Sequence, residues 1–222
     1  MHVLRPRVLT AACMLLAAPL DHARAEFNFD FSIGSAFTHD TTVRAEDEVN
    51  GTRVNDETSI DPSFALGGRL AYWIDPFPWI GLGMDFSYFR AEGGPIVQND
   101  VYPFSFLVMG RATLFPSRRF PYGELQPYAA VGPSAVFTDA VIDLRPDVTD
   151  RVTDSTTDLG LDARAGLAWE FVPHFALFFE YRFLYFRQRL DNGDDFFFDD
   201  TTATSRTTFA THFAMVGISF RF

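Results

Sequence analysis

From residue 27 onward, apolar and polar residues alternate along most of the chain with the period of two that is typical of β-strands. The alternation is clear at the beginning, where Phe27, Phe29, Phe31 and Ile33 are separated by polar or small residues. The same period recurs to the end of the chain. It predicts eight strands, at about residues 27–34, 62–74, 79–90, 104–114, 125–138, 159–171, 175–188 and 212–222.

The connections between these strands alternate in length. Four are long or intermediate and polar, and three are short turns: 38–61, 91–102, 139–158 and 190–207 are the longer ones, and 75–78, 116–124 and 172–174 the short ones. Short turns at one end and longer loops at the other are typical of a barrel that crosses a membrane. The sequence therefore predicts an all-β fold, an eight-stranded antiparallel up-and-down transmembrane β-barrel. Pro127 and Pro133 fall in the fifth strand, where each removes a donor from the ladder.

The beginning of the chain has a different pattern. Two arginines precede an apolar run from Val8 to Leu20, and residues 23–25 match the small-x-small pattern of a cleavage site. We therefore predict a cleaved secretory signal peptide at 1–25 and an outer-membrane β-barrel domain at 26–222. The only cysteine, Cys13, lies in the predicted signal peptide, so no disulfide is expected in the barrel domain.

Composition favours a membrane location. All 26 phenylalanines follow residue 25, yet no run of about 18 apolar residues follows it. A closed barrel pairs its backbone groups between strands and needs no such run. We expect the apolar face of each strand to contact lipid and the polar face to line the lumen. Aromatic residues near strand ends predict a girdle at the membrane interfaces, at Tyr72, Trp73, Phe77, Trp79 and Phe115.

The closing segment, 212–222, carries a glycine followed by spaced aromatic residues and a terminal phenylalanine. In this respect it resembles the last strand of bacterial outer-membrane barrels. The whole of 26–222 is similar to the small eight-stranded barrels of the OmpA/OmpX and opacity-protein kind. The resemblance implies a location in the outer membrane of a Gram-negative cell. It also implies that Gly217, Phe220 and Phe222 form the signal read by the barrel-assembly machinery.

The polar faces place charged residues in the predicted lumen. They are Arg69, Asp85, Arg111, Asp162, Arg164, Glu170, Glu180, Arg182 and Arg221. Isolated charges in so narrow a space would cost several kcal/mol each, so we predict a paired network. The network forms either a salt-bridged plug or a polar path for ions. Eight strands enclose about enough room for side chains, which favours the plug.

The longer connections are strongly acidic, with 20 Asp and Glu residues against five Arg. Such a rim suits divalent cations that bridge to lipopolysaccharide, or a basic partner. The run at 191–200 does not match the spacing of a calcium-binding loop, so no discrete metal site is expected. Phe196, Phe197 and Phe198 at that loop tip are expected to contact lipid or a partner, or to fold over the barrel mouth.

All 18 basic residues are arginines, and a guanidinium can hold phosphate groups in a bidentate manner. Arg187 and Arg189 are the best placed near a rim. The expected partners are outer-membrane lipid and lipopolysaccharide, the assembly machinery and a host or cell-surface ligand, with no nucleic acid.

Enzyme chemistry is not expected, and no cofactor is predicted. Some barrels that resemble this one modify lipid A, which requires a nucleophilic serine beside a histidine. The histidines after residue 25 are His39, His174 and His212, and no strand carries a His-x-Ser pair. We therefore predict a structural or surface-interaction role, adhesin-like, through the acidic loops. The alternatives are a small ion or solute pore and, third, a lipid A-modifying enzyme.

Overall fold

The computed structural model describes most of the chain after residue 25. The described residues are 26–39, 41–47, 53–58, 61–75, 77–93, 97–143, 151–192 and 203–222. The predicted signal peptide at 1–25 and the loop tip at 196–198 lie outside the described residues.

Ten strands account for nearly all of the described residues. They are β1 (Glu26–Thr38), β2 (Thr41–Asp47), β3 (Arg53–Thr58), β4 (Ser63–Ile74), β5 (Phe77–Gly93), β6 (Val97–Arg111), β7 (Leu125–Asp143), β8 (Arg151–Val172), β9 (Phe175–Asn192) and β10 (Ala203–Arg221). In the described ranges no helix has the length and apolar composition needed to span a bilayer.

Eight of the ten strands form a closed antiparallel barrel, which confirms the predicted fold. The order is β1, β4, β5, β6, β7, β8, β9 and β10, and β10 pairs again with β1. At this closing seam Phe31 lies opposite Ile218 and Ile33 lies opposite Val216. The last strand and the first therefore satisfy each other's backbone groups, and the barrel wall has no free edge in the membrane.

The prediction that the connection 38–61 is a polar loop is wrong, because part of it forms strands. It contains the hairpin of β2 and β3, which prolongs the pairing of β1 and β4, and β2 also pairs with β10. The connections at 91–102, 139–158 and 190–207 are likewise shortened, because β5 to β10 all continue into them. Backbone pairing persists above the membrane, where both faces are wet and no apolar alternation marks a strand.

At this end the wall opens between β8 and β9. Pairing between β8 and β9 stops at Gly160 and Phe186, whereas β8 continues along β7 as far as Arg151 and β9 along β10 as far as Asn192. Leu159 is 82% exposed where the two strands part. The extracellular rim therefore opens between β8 and β9, whereas β6 stays paired with β7 as far as Val97 and β10 stays paired with β2 as far as Ala203.

The predicted faces of the strands are confirmed in the barrel wall. Outward apolar residues such as Leu82 and Phe106 are each 52% exposed. The prolines of β7 also lie on its outer face, and β7 pairs continuously with β8 from Leu125 to Asp143. Trp73 is a correction to the predicted girdle: it is only 4% exposed and points into the lumen, because β4 places it on the same face as Arg69.

Candidate functional site in the barrel lumen

The lumen is filled by buried charges at mid-height, and Arg164 on β8 lies at their centre. Its Nη2 is 2.7 Å from Asp85 Oδ1 and 2.7 Å from Asp162 Oδ2, and its Nη1 is 3.3 Å from Glu180 Oε1. The three carboxylates come from β5, β8 and β9, so this one guanidinium joins three strands across the interior. Side chains in this group are almost fully buried.

Arg69 extends the same network toward the closing seam. Its Nε donates to Asp30 Oδ2 at 2.8 Å, and its Nη1 lies 2.5 Å from Glu180 Oε2. The Tyr128 hydroxyl donates to the same Glu180 oxygen at 2.8 Å. Glu180 therefore accepts hydrogen bonds from both Arg69 and Arg164, one on each carboxylate oxygen.

Arg182 connects the network to the apolar region above it. Its Nη2 is 2.8 Å from Asp162 Oδ2, and its Nη1 donates to the Ser87 hydroxyl at 2.6 Å. The guanidinium carbon also lies 5.0 Å from the centroid of the Phe213 ring. Cation–π contacts of this kind stabilise a desolvated arginine.

A second charged cluster closes the periplasmic end. Arg111 donates two hydrogen bonds to the Glu26 carboxylate, from Nη1 at 3.0 Å and from Nη2 at 2.6 Å. Its guanidinium carbon lies 4.1 Å from the centroid of the Trp73 ring. Arg221 Nη1 donates to Glu170 Oε2 at 2.9 Å. The inward Trp73 therefore stacks on a lumen arginine.

All nine charged residues predicted for the lumen are buried there, in these two clusters. Two further carboxylates, Glu26 and Asp30, complete them. The alternation of β1 already places Asp30 on the polar face, but its pairing with Arg69 depends on the register between β1 and β4. The described lumen holds six buried carboxylates and five arginines.

Above the central network, toward the extracellular end, apolar side chains fill much of the lumen, beside buried polar residues such as Thr138 and Thr211. Phe89 and Phe213 meet edge to face with ring centroids 5.0 Å apart, and Phe186 and Phe209 stack at 4.9 Å. Smaller apolar residues fill the remaining space: Ala36, Ala65, Ala91, Val101, Val136, Leu184 and Met215. We call these eleven residues the aromatic layer. A hydrated ion passing this level would have to move between phenylalanine rings and lose most of its water shell.

A cavity of about 20 Å³ lies between the two charged clusters, room for about one water molecule. Three buried polar atoms on its lining residues have no hydrogen-bond partner among the described residues: Asp30 Oδ1, Ser219 Oγ and Arg221 Nε. These are both donors and acceptors, which suits a bridging water. Within the described ranges no three potential metal-ligating side chains form a group.

The residues of the predicted assembly signal lie at the closing seam. A side chain at Gly217 would overlap the Phe31 carbonyl oxygen and the Phe178 ring, so the position requires glycine. Phe220 packs on Phe175, with ring centroids 5.2 Å apart. The backbone N–H of Phe222 donates to the Phe27 carbonyl at 2.8 Å, and its side chain is 70% exposed.

Two of the histidines, His39 and His212, lie on the outer wall, with ring centroids 4.8 Å apart. Nδ1 of His212 shares a hydrogen bond with the Tyr181 hydroxyl. His174 occupies the turn between β8 and β9, where its Nδ1 lies 2.9 Å from the Arg221 carbonyl oxygen. The absence of enzyme activity stays a prediction.

Comparisons with known proteins agree with this architecture. A family model described as "Outer membrane protein beta-barrel domain" matches residues 8–222. The fold is similar to Neisserial surface protein A, NspA, with a TM-score of 0.54 and 13% sequence identity over 88% of this chain and 97% of that chain. It is also similar to OprG from Pseudomonas aeruginosa, with a TM-score of 0.60 and 13% identity over 90% and 97%. None of the curated proteins matches the sequence.

Proposed function

Because this chain belongs to the outer membrane protein β-barrel family, we propose that it is a non-conducting barrel that presents its acidic hairpins to partners at the cell surface. Its place is the outer membrane. The barrel holds the hairpins in fixed positions, and the hairpins supply the interaction.

The observation that carries this proposal is the double closure of the lumen. The central charged network and the aromatic layer lie one above the other, and each spans the interior from several strands. An ion would have to break the pairs of Arg164 and then cross a layer of phenylalanine rings. Both steps cost several kcal/mol, which supports a structural interior over a pore.

Purified, folded protein is expected to give no stable unitary conductance in planar lipid bilayers, because the network and the aromatic layer exclude hydrated ions. The measurement is current at fixed voltage after insertion has been verified. A general-diffusion porin reconstituted in the same bilayers is the positive control. Stable, ion-selective channels from the wild-type barrel would overturn the non-conducting assignment and favour the pore.

The acidic hairpins support the second half of the proposal. Their excess of carboxylates exceeds the net charge of −11 of the whole chain, so the rim concentrates the negative charge. A charged surface of this kind raises the local concentration of cationic partners. The preferred partner is therefore a basic protein segment or a cationic surface.

Neutralising the β9–β10 connection is expected to weaken binding of a fluorescent oligo-arginine peptide about tenfold at low ionic strength. The variant changes five aspartates to asparagine: Asp191, Asp194, Asp195, Asp199 and Asp200. Added salt should reduce the wild-type affinity as well, because the contacts are exposed. The measurement is fluorescence anisotropy with the barrel in detergent micelles.

The matched control neutralises Asp75 and Glu124, which lie in the short turns at the opposite end of the barrel. This variant should bind the peptide like the wild type. Equal binding by all three proteins would mean that the hairpins do not attract cationic partners.

A further inference from the structure

Two histidines meet on the outer wall at the extracellular end of the closing seam. His39 directly follows β1, and His212 lies on β10, opposite Phe37 of β1. The backbone N–H of His39 donates to the Ala210 carbonyl oxygen at 3.0 Å, so the seam is still paired at this level. The two imidazoles therefore belong to the first and the last strand of the barrel wall.

This histidine pair lies at the extracellular boundary of the membrane. The segment from His212 to Phe222 has eleven residues, and about 9–11 residues of a tilted strand cross the hydrocarbon core. Phe222 follows the periplasmic end of β10, so β10 reaches the outer headgroup layer at His212. His39 is exposed at the same level, where ions in the adjacent water can reach it.

The spacing of the two rings fits a shared metal ion. The centroids of His39 and His212 are 4.8 Å apart, and the ring planes make an angle of 81°. An imidazole nitrogen binds Zn²⁺ at about 2.0–2.1 Å and lies about 1.2 Å from its ring centre, which places the ion about 3.3 Å from that centre. Two rings bound to one ion at an angle of about 90–110° therefore have centres about 4.7–5.4 Å apart. The observed separation falls within this range.

Hydrogen bonding and packing fix the orientation of the His212 ring. Its Nδ1 shares a hydrogen bond with the Tyr181 hydroxyl, and its ring lies 5.0 Å from the Phe183 centroid. When Nδ1 carries the proton and donates to the tyrosine oxygen, Nε2 holds the lone pair that a metal ion requires. Histidines that bind metals usually donate from their other ring nitrogen to such a partner, which sets the tautomer and the ring orientation.

The surroundings favour a cation at this position, and the ligand type selects its class. The longer connections above the pair contain 20 acidic residues against five arginines, so they raise the local concentration of cations. Imidazole suits Zn²⁺, Cu²⁺ and Ni²⁺, whereas Mg²⁺ and Ca²⁺ prefer oxygen ligands. A pair of histidines is therefore selective for a transition-metal ion.

We propose that His39 and His212 form a surface site for one divalent transition-metal ion, with water molecules in the remaining coordination positions. A bound ion joins the end of β1 to β10, so it fastens the closing seam where the barrel meets the outer surface. An ion that binds the folded barrel and not the unfolded chain stabilises the fold. The site is independent of the surface partner proposed above.

The test is calorimetric titration of Zn²⁺ into the purified, metal-free barrel in detergent, prepared without a histidine tag. The wild type is expected to bind one Zn²⁺ per barrel. His39→Gln and His212→Gln should each lower the affinity about tenfold or more, because each removes one of the two protein ligands. Tyr181→Phe should lower it about tenfold, because the His212 ring loses the partner that orients it. Folding of each variant is verified by heat-modifiable migration on gels.

Saturating Zn²⁺ is also expected to raise the urea midpoint of unfolding of the wild type, and not that of the double variant with both His39→Gln and His212→Gln. The matched control is His174→Gln, which removes the histidine of a periplasmic turn and should bind Zn²⁺ like the wild type. The proposal is overturned if the wild type binds no Zn²⁺, if the double variant binds it equally well, or if an equal concentration of Mg²⁺ displaces it.

Discussion

Replacing Arg164 with methionine is expected to lower the free energy of unfolding by about 3–5 kcal/mol, because the change leaves buried carboxylates without their shared cation. Asp85 and Asp162 are each 2.7 Å from the guanidinium, and Glu180 is 3.3 Å away. Methionine fills much of the volume of the arginine stem, so the loss is mainly electrostatic. The measurement is reversible unfolding in urea with the barrel in lipid vesicles, followed by tryptophan fluorescence.

The matched control is Arg90→Met. Arg90 Nε lies 2.8 Å from Asp100 Oδ1, but the arginine side chain is 41% exposed and the pair is screened by water. Its loss should cost about 0–1 kcal/mol. A similar cost for the two substitutions would mean that the lumen network is solvated and that its pairing does not stabilise the barrel.

Replacing Met84 with arginine is expected to cost about 2–4 kcal/mol, because the side chain faces lipid near the middle of the membrane-spanning part of β5. Met84 is 46% exposed on the wall, and its outward neighbours on β4 and β6 are Leu70 and Phe106. An arginine there has no lumen carboxylate within reach. The same vesicle-based unfolding measurement applies.

The comparison is Leu114→Arg. Leu114 is also outward and 40% exposed, but it lies at the periplasmic end, beyond β6 and bridged to Leu125. An arginine there can reach the headgroups, so the expected cost is about 0–1 kcal/mol. If the two substitutions destabilised the barrel equally, the depth assigned to these positions would be wrong.

The wall of the barrel could be predicted from the sequence, because one periodicity governs it. Lipid on one side and a polar lumen on the other give each strand two different faces, as at Phe31 beside Asp30. The rim could not be predicted in the same way. There both faces of the sheet meet water, so β2, β3 and the outer half of β8 show no apolar alternation. Only their backbone pairing defines them as strands.

The lumen was predictable in part. The alternation along each strand places Arg69 and Glu180 inside the barrel. Their contact depends on the stagger between strands around the barrel, and the sequence of one strand does not determine that stagger. The aromatic layer was missed for another reason. Phe89 and Phe213 have inward parity, yet an expectation of polar residues inside gave them no role. The sequence places Trp73 in the girdle because tryptophan is typical of membrane interfaces. Its alternation with Arg69 on β4 instead gives it an inward position.

The separation of β8 from β9 at Gly160 also bears on how such a surface changes over generations. Above that point the β7–β8 hairpin shares no backbone ladder with the β9–β10 hairpin in the described pairings, so substitutions or length changes in one do not disturb the register of the other. The lumen is the opposite case, since Arg164 forms ion pairs with carboxylates on three strands. The exposed surface can therefore diversify on one side of this gap without disturbing the other, while the interior can change only when several residues change together.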